Sequence, residues 1–186
     1  MAPFPVVFDA NVLYGTYVND LLLRLADRGL FRPLWSERIL DELENALLRD
    51  ALPDKRGALR RRVEAMRTAF PDALVEGYED LEAAMTCDPK DRHVLAAAVR
   101  SNAALLVTFN LKDFPSDSLT PYGIEVAHPD VFLVDQLDLR PGRTVGAVEE
   151  ILTDYTNPPL DVPAYLHRLR RSGVPDFARV LGRHLE

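Results

Sequence analysis

The sequence predicts an α/β fold, with a parallel sheet of about five strands followed by a helical C-terminal extension. Three observations carry that prediction. The apolar run Val6-Val7-Phe8 ends abruptly at Asp9-Ala10-Asn11 and helical periodicity follows at once, the pattern of a strand buried on both faces. Apolar runs then alternate with amphipathic ones as far as Ala127, as parallel strands joined by right-handed crossovers require. From Pro129 onward the pattern is wholly helical. The expected division is an α/β domain over residues 1–130 and a helical extension over 131–186.

Taken in order, the first strand delivers Asp9 to its carboxyl end, where open α/β sheets bind ligands. Capping of the next helix is the ordinary use of such an Asp, so a site requires other acids at the same place. Val12, Leu13, Tyr17, Leu21, Leu22 and Leu25 follow at helical spacing, and Gly29 marks the stop. A second strand is expected over Phe31–Trp35. Ser36 then suits the N-cap of a helix whose stripe is Ile39, Leu40, Leu43, Ala46 and Leu47. At about 100° per residue, Glu42 lies at the edge of that stripe, whereas Asp41 and Glu44 fall toward solvent. Periodicity therefore selects Glu42 as the acid that looks inward.

Pro53-Asp54 opens a basic helix with Arg56, Arg60, Arg61, Arg62 and Arg67; a solvated face is the ordinary reading of such a run, and in an otherwise acidic chain it is also the candidate phosphate-contacting surface. Ala73–Glu76 reads as a third short strand and Tyr78–Met85 as a helical turn or two. Asp88-Pro89 has the signature of another helix start, which accounts for Asp88 by capping. Asp91 falls within the stripe of Val94, Leu95 and Ala98, and a carboxylate on a buried face needs a partner such as a metal ion. His93 points away from the stripe centre, toward a surface or interface. Ala103–Phe109 is the fourth strand, ending in Thr108, Asn110 and Asp113, and Ile124–Ala127 is the fifth. Helices are expected over 130–139, 143–155 and 162–171, with a last one carrying Phe177, Val180 and Leu181.

Composition narrows the class. A chain of 186 residues, 47% hydrophobic and 27% charged, suits one sizeable core in an ordinary globular protein. No run approaches the length of a membrane-spanning helix. Met1-Ala2-Pro3-Phe4-Pro5 has no basic n-region, so no signal peptide is expected. The single cysteine, Cys87, builds no disulfide framework and fits a reducing cytoplasm; with no His placed beside it, it reads as a spare thiol. The net charge of −7 argues against holding nucleic acid by bulk electrostatics, yet allows an acidic site built around cations.

Four segments thus deliver Asp9, Glu42, Asp91 and Asp113 to one expected place. Such a group stays ionised only with compensating cations, and oxygen-only donors suit Mg2+ or Mn2+ rather than zinc. The chemistry expected of it is metal-assisted phosphodiester hydrolysis. Thr108 and Asn110 would orient carboxylates or water. A haloacid-dehalogenase-like phosphatase also starts from a strand ending in Asp, but needs a second Asp where this chain has Asn11.

Phe-Asp-Ala-Asn-Val-Leu (8–13), Ser-Glu-Arg-Ile-Leu-Asp-Glu-Leu (36–43), Asp-Pro-Lys-Asp-Arg-His-Val-Leu-Ala-Ala-Ala (88–98) and Val-Thr-Phe-Asn-Leu-Lys-Asp-Phe (107–114) resemble, in order and spacing, the four motifs of the PIN domain as found in VapC-type toxins, ribonucleases of bacterial toxin–antitoxin pairs. The resemblance covers about residues 4–130. The tail, with Asn-Pro-Pro-Leu (157–160), resembles the extension of one VapC subgroup. The resemblance implies a three-layer fold with sheet order 3-2-1-4-5, metal binding by Asp9, Glu42 and Asp91, with Asn11 beside them, an RNA substrate, a homodimer and a small VapB-like antitoxin. The family's fourth acid usually stands where this chain has Asn110. Asp113, three residues later, is the candidate substitute, and the departure keeps open a non-cutting scaffold that binds RNA or protein.

Overall fold

The computed structural model describes residues 3–49 and 51–185. Strand β1 (Phe4–Phe8) is central, with β2 (Phe31–Leu34) on one side and β3 (Leu105–Val107) then β4 (Glu125–Ala127) on the other. All pairings are parallel, with Val7 opposite Leu34, Phe8 opposite Val107 and Val107 opposite Ala127. The chain leaves β1 for one neighbour and returns to the other, so the strand order reverses at the carboxyl end of β1, where such sheets open a crevice.

The sheet has four strands among the described residues, against about five expected. The segment expected as a strand over 73–76 is reduced to one bridge, Leu74 against Trp35. Trp35 N–H donates to Ala73 O at 3.0 Å and Val75 N–H to Trp35 O at 2.8 Å. A 3-10 turn at Pro71–Ala73 runs into this segment and Gly77, at φ +67°, turns the chain out of it, so little extended backbone is left to pair. The bridge lies outside β2, where the order 3-2-1-4-5 places its first strand.

The helix expected after Asn11 is two helices, α1 (Ala10–Tyr14) and α2 (Thr16–Asp27), separated at Gly15, a poor helix former held in extended conformation. α3 (Glu37–Arg49) starts as expected, with Ile39 N–H donating to Ser36 Oγ at 3.2 Å. α4 (Pro53–Ala69) packs on α3, and Glu44, expected to face solvent, meets Arg60 of α4 at 3.3 Å. α5 (Arg92–Arg100) begins at Arg92, not at Pro89, because Asp88 takes Lys90 N–H at 3.0 Å in a turn that precedes the helix. A short α6 (Ser116–Leu119) leads to β4.

The C-terminal helices are α7 (Pro129–Leu139), α8 (Pro141–Asp154), α9 (Val162–Arg171) and α10 (Pro175–Gly182). They share the core of the α/β part. Phe132 of α7 meets Phe31 and Phe8 with ring centroids 5.0 and 5.8 Å apart, both edge-on. The turn between α9 and α10 packs on the segment that follows β3: Gly173 has φ +88°, and a Cβ there would sit 2.8 Å from Phe109 Cε1. Among the described residues no helix is long and apolar enough to cross a membrane.

Candidate active site

The apolar run of β1 buries its strand, and the chain can turn out of the sheet only after Phe8, which leaves Asp9 at the crevice. Asp9 occupies the N-cap position of α1, yet its side chain makes no capping bond. Its Oδ2 accepts instead from Asn11 Nδ2 at 2.6 Å and from Thr108 Oγ1 at 2.8 Å. Thr108, fully buried at the end of β3, also accepts from Asn11 Nδ2 at 3.1 Å and from Asn110 N–H at 3.0 Å. Phe109 N–H closes the net by donating to Asn11 Oδ1 at 3.2 Å. The ends of β1 and β3 are thereby fastened together around a single carboxylate.

An open cleft of about 360 Å³ lies over this net, lined by Asp9, Ala10, Asn11, Tyr14, Glu42, Ala46, Asp91 and Asn110. Glu42 enters from α3, as its place at the stripe edge predicts. Asp91 stands at the N-cap position of α5 without a capping bond, a different register from the one its sequence position implied. The structure therefore brings Asp9, Glu42, Asp91 and Asn110 to one cavity. Asp113 does not line it, although its charge reaches Asp91, and its backbone carbonyl accepts from Asp88 N–H at 3.0 Å.

Electrostatics mark the cleft as short of positive charge. Burial pushes the Asp9 carboxyl above its ordinary range; Thr108 and the backbone N–H of Asn11 oppose that, and the Glu42 charge adds to it. Burial, then the charges of Asp9, Asp113 and Asp88, push Asp91 up to about 6. Arg38, the cation nearest Glu42, stands 3.6 Å away and lies closer to Glu82, at 3.2 Å.

His93 is the residue that sequence reasoning misplaced. It is fully buried, with Nε2 3.0 Å from Glu42 Oε1. The approach is close but not aligned as a hydrogen bond, and neither ring nitrogen has a partner among the described residues. The expected outward direction fails because α5 has no outward side there: His93, Val94, Leu95, Ala96, Ala97 and Ala98 are all buried, with the Glu79–Ala84 turn packed against the helix.

The arginines expected to meet phosphate are largely engaged. Arg67 pairs with Glu37 at 2.8 Å, Arg60 with Glu44, and Arg62 donates to the carbonyls of Leu13 and Tyr14 at 2.6 and 3.2 Å. Arg56 is exposed and has no ion pair among the described residues. A larger cavity of about 520 Å³, between α2 and α4, is lined chiefly by apolar atoms and lacks a set of converging acids. Cys87 is buried and its thiol pushed up to about 11, as suits a spare thiol and not a nucleophile.

The donor chemistry of the cleft fits a hard divalent cation: oxygen donors only, unbalanced negative charge, and room for water. The acids are spread around the wall; among the described residues, no three His, Cys, Asp or Glu side chains are gathered tightly enough to hold an ion as they stand.

Comparison with known proteins gives two matches along the chain. A family described as "PIN domain" matches residues 5–112, and one described as "VapC50 C-terminal domain" matches residues 129–183. The chain is 49% identical over 115 residues to "Putative ribonuclease VapC50" of Mycobacterium tuberculosis (strain ATCC 25618 / H37Rv), covering 60% of this chain and 68% of that protein. No solved structure matches.

Proposed function

Because the chain belongs to the PIN-domain family and carries a VapC50-type C-terminal domain, we propose that it is a ribonuclease toxin, cutting RNA phosphodiester bonds in the acidic cleft with Mg2+ or Mn2+. The observation that supports this most is the arrival of Asp9, Glu42 and Asp91 from three separate segments at one cavity, where burial first and the neighbouring acids second leave Asp91 well above its ordinary range. Carboxylates placed against one another in this way favour a cation among them.

Asp9, Glu42 and Asp91 are the residues that would hold the ion, with Asp113, outside the cleft lining, acting on Asp91 through its charge. A bound ion would supply an activated water and offset charge developing on the phosphate. Asn11 and Thr108 hold the Asp9 carboxylate in one orientation through Oδ2, so it need not reorganise when substrate arrives. Asn110 offers a neutral amide at the cleft wall, suited to a phosphate oxygen or a water. His93 and Arg38 flank Glu42 and limit where its carboxylate can swing. A small VapB-like antitoxin and a homodimer complete the proposal, on the strength of the family alone.

The test is cleavage of structured RNA by the purified chain with Mg2+, Mn2+ or EDTA. Cutting should need the metal and fall by at least about 100-fold in Asp9→Asn. Asp113→Asn should cost far less than Asp9→Asn if Asp113 only assists. Cutting that persists in EDTA or survives Asp9→Asn would sink the assigned site. Metal-independent binding of RNA without any cleavage would leave a binding scaffold.

A further inference from the structure

We infer that the C-terminal extension supplies a phosphate-binding subsite for the RNA strand, built from Arg168 and Arg171 of α9 against Tyr17 of α2. The inference rests on the ribonuclease reading and names where the substrate lies beyond the reacting phosphate. Tyr17, His167, Arg168, Arg171 and Ser172 line a cavity of about 410 Å³. The Arg168 guanidinium stacks over the Tyr17 ring, 4.9 Å from its centroid, and donates to the Tyr17 hydroxyl. Neither Arg168 nor Arg171 has an acidic partner among the described residues, and both are exposed. In a chain of net charge −7 an unneutralised basic cavity is a local exception.

Its position ties it to the acidic cleft. Ser172, at the end of α9, lies against Gly15, next to the cleft residue Tyr14; a Cβ on Gly15 would be 4.0 Å from that of Ser172. Gly173 lies against Phe109, next to the cleft residue Asn110. The α9–α10 turn thus contacts chain neighbours of two cleft residues, and its Ser172 also lines the basic cavity. Compensation of the helix dipole accounts for arginines in the last turn of α9, but not for their grouping with an aromatic ring around one cavity. The expected phosphate surface on α4 is the weaker candidate, since Arg60, Arg62 and Arg67 are held by acids or backbone carbonyls. A stacked guanidinium with free N–H groups suits a phosphodiester, and its tyrosine suits an unpaired base.

The test compares the full-length chain with Arg168→Gln/Arg171→Gln and, as a control, Arg56→Gln/Arg61→Gln. Fluorescence anisotropy of a labelled single-stranded oligoribonucleotide in EDTA reads binding without cutting. Loss of two phosphate contacts should weaken binding about 10-fold and reduce the slope of log K against log salt by about 1.4. In cleavage assays KM should rise while kcat stays near wild type, because the contact lies away from the reacting bond. Arg168→Lys/Arg171→Lys should recover most of the salt slope, a result that a purely structural role would not produce, with thermal melts confirming that all variants fold. If wild type binds and cuts RNA while the Arg168→Gln/Arg171→Gln variant matches it in affinity and slope, or if the Arg56→Gln/Arg61→Gln control alone weakens binding, the subsite is overturned and the ribonuclease reading stands. If wild type neither binds nor cuts RNA, both fall together.

Discussion

The Thr108 hydroxyl has no solvent contact and three hydrogen bonds, one donated to Asp9 and two accepted. Thr108→Val keeps the shape and removes all three, so the protein should lose about 1–3 kcal/mol, read as a lower denaturant midpoint at unchanged m-value. RNA cleavage should fall as well, because Asp9 loses a donor that stabilises its charge. Asp91 gives the opposite sign. Its folded-state value of about 6 lies above the usual 3.8, so the folded chain holds a proton that the unfolded chain has released. Stability therefore declines as pH rises through that window, and above it the ionised Asp91 opposes folding. In EDTA, Asp91→Asn should melt higher than wild type at about pH 7.5, and the gain should disappear near pH 4. An equal gain at both values would show that charge is not the cause. Asp9 and Glu42 were legible from an interrupted apolar run and a stripe edge. For Asp91 the sequence pattern implies a helix beginning three residues early; the side chain reaches the cleft as the residue before α5. His93 was not legible, since the face it occupies is covered by a turn distant in sequence.

At the scale of elements, the two inner strands β1 and β3 are the most apolar runs of the sheet, and the expected strand that fails would have lain beyond its β2 edge. Residues 73–76 had a strand-like pattern, but pattern alone does not report that a 3-10 turn and a left-handed glycine shorten the extended run to a bridge. The C-terminal helices were legible as helices but not in how they dock. Asp130, in the first turn of α7, is buried and accepts from Asp176 N–H at 3.0 Å and Phe177 N–H at 2.7 Å, serving as a cap for α10 supplied by another helix. Asp130→Ala should cost about 1–3 kcal/mol, seen as a lower melting temperature, because it leaves a buried and a half-buried helix-start donor without a partner. If the loss is below a few tenths, water replaces the cap and α10 is not anchored this way.

On the scale of the whole molecule, the C-terminal helices complete the core that the α/β part begins. The expected division after residue 130 falls two residues into α7, and Phe132, two positions later, packs edge-on against Phe8 of the central strand and Phe31 of β2. α8 and α9 cover α2, whose Arg24 also pairs with Asp154 at 2.8 Å across the two parts. Most of the interaction is apolar, since an exposed pair of this kind adds at most about 1 kcal/mol. Ending the chain at residue 128 would return the facing sides of Phe8, Phe31 and α2 to water, a loss of several kcal/mol in a protein whose total stability is of order 5–15 kcal/mol. The truncated chain should therefore be insoluble or lack a cooperative melt, as followed by circular dichroism. Adding back the segment 129–186 in trans should not restore RNA cleavage unless it also restores that melt. A soluble, cooperatively folding 1–128 fragment would show instead that the two parts are separable, and that the α9 arginines belong to an independent unit.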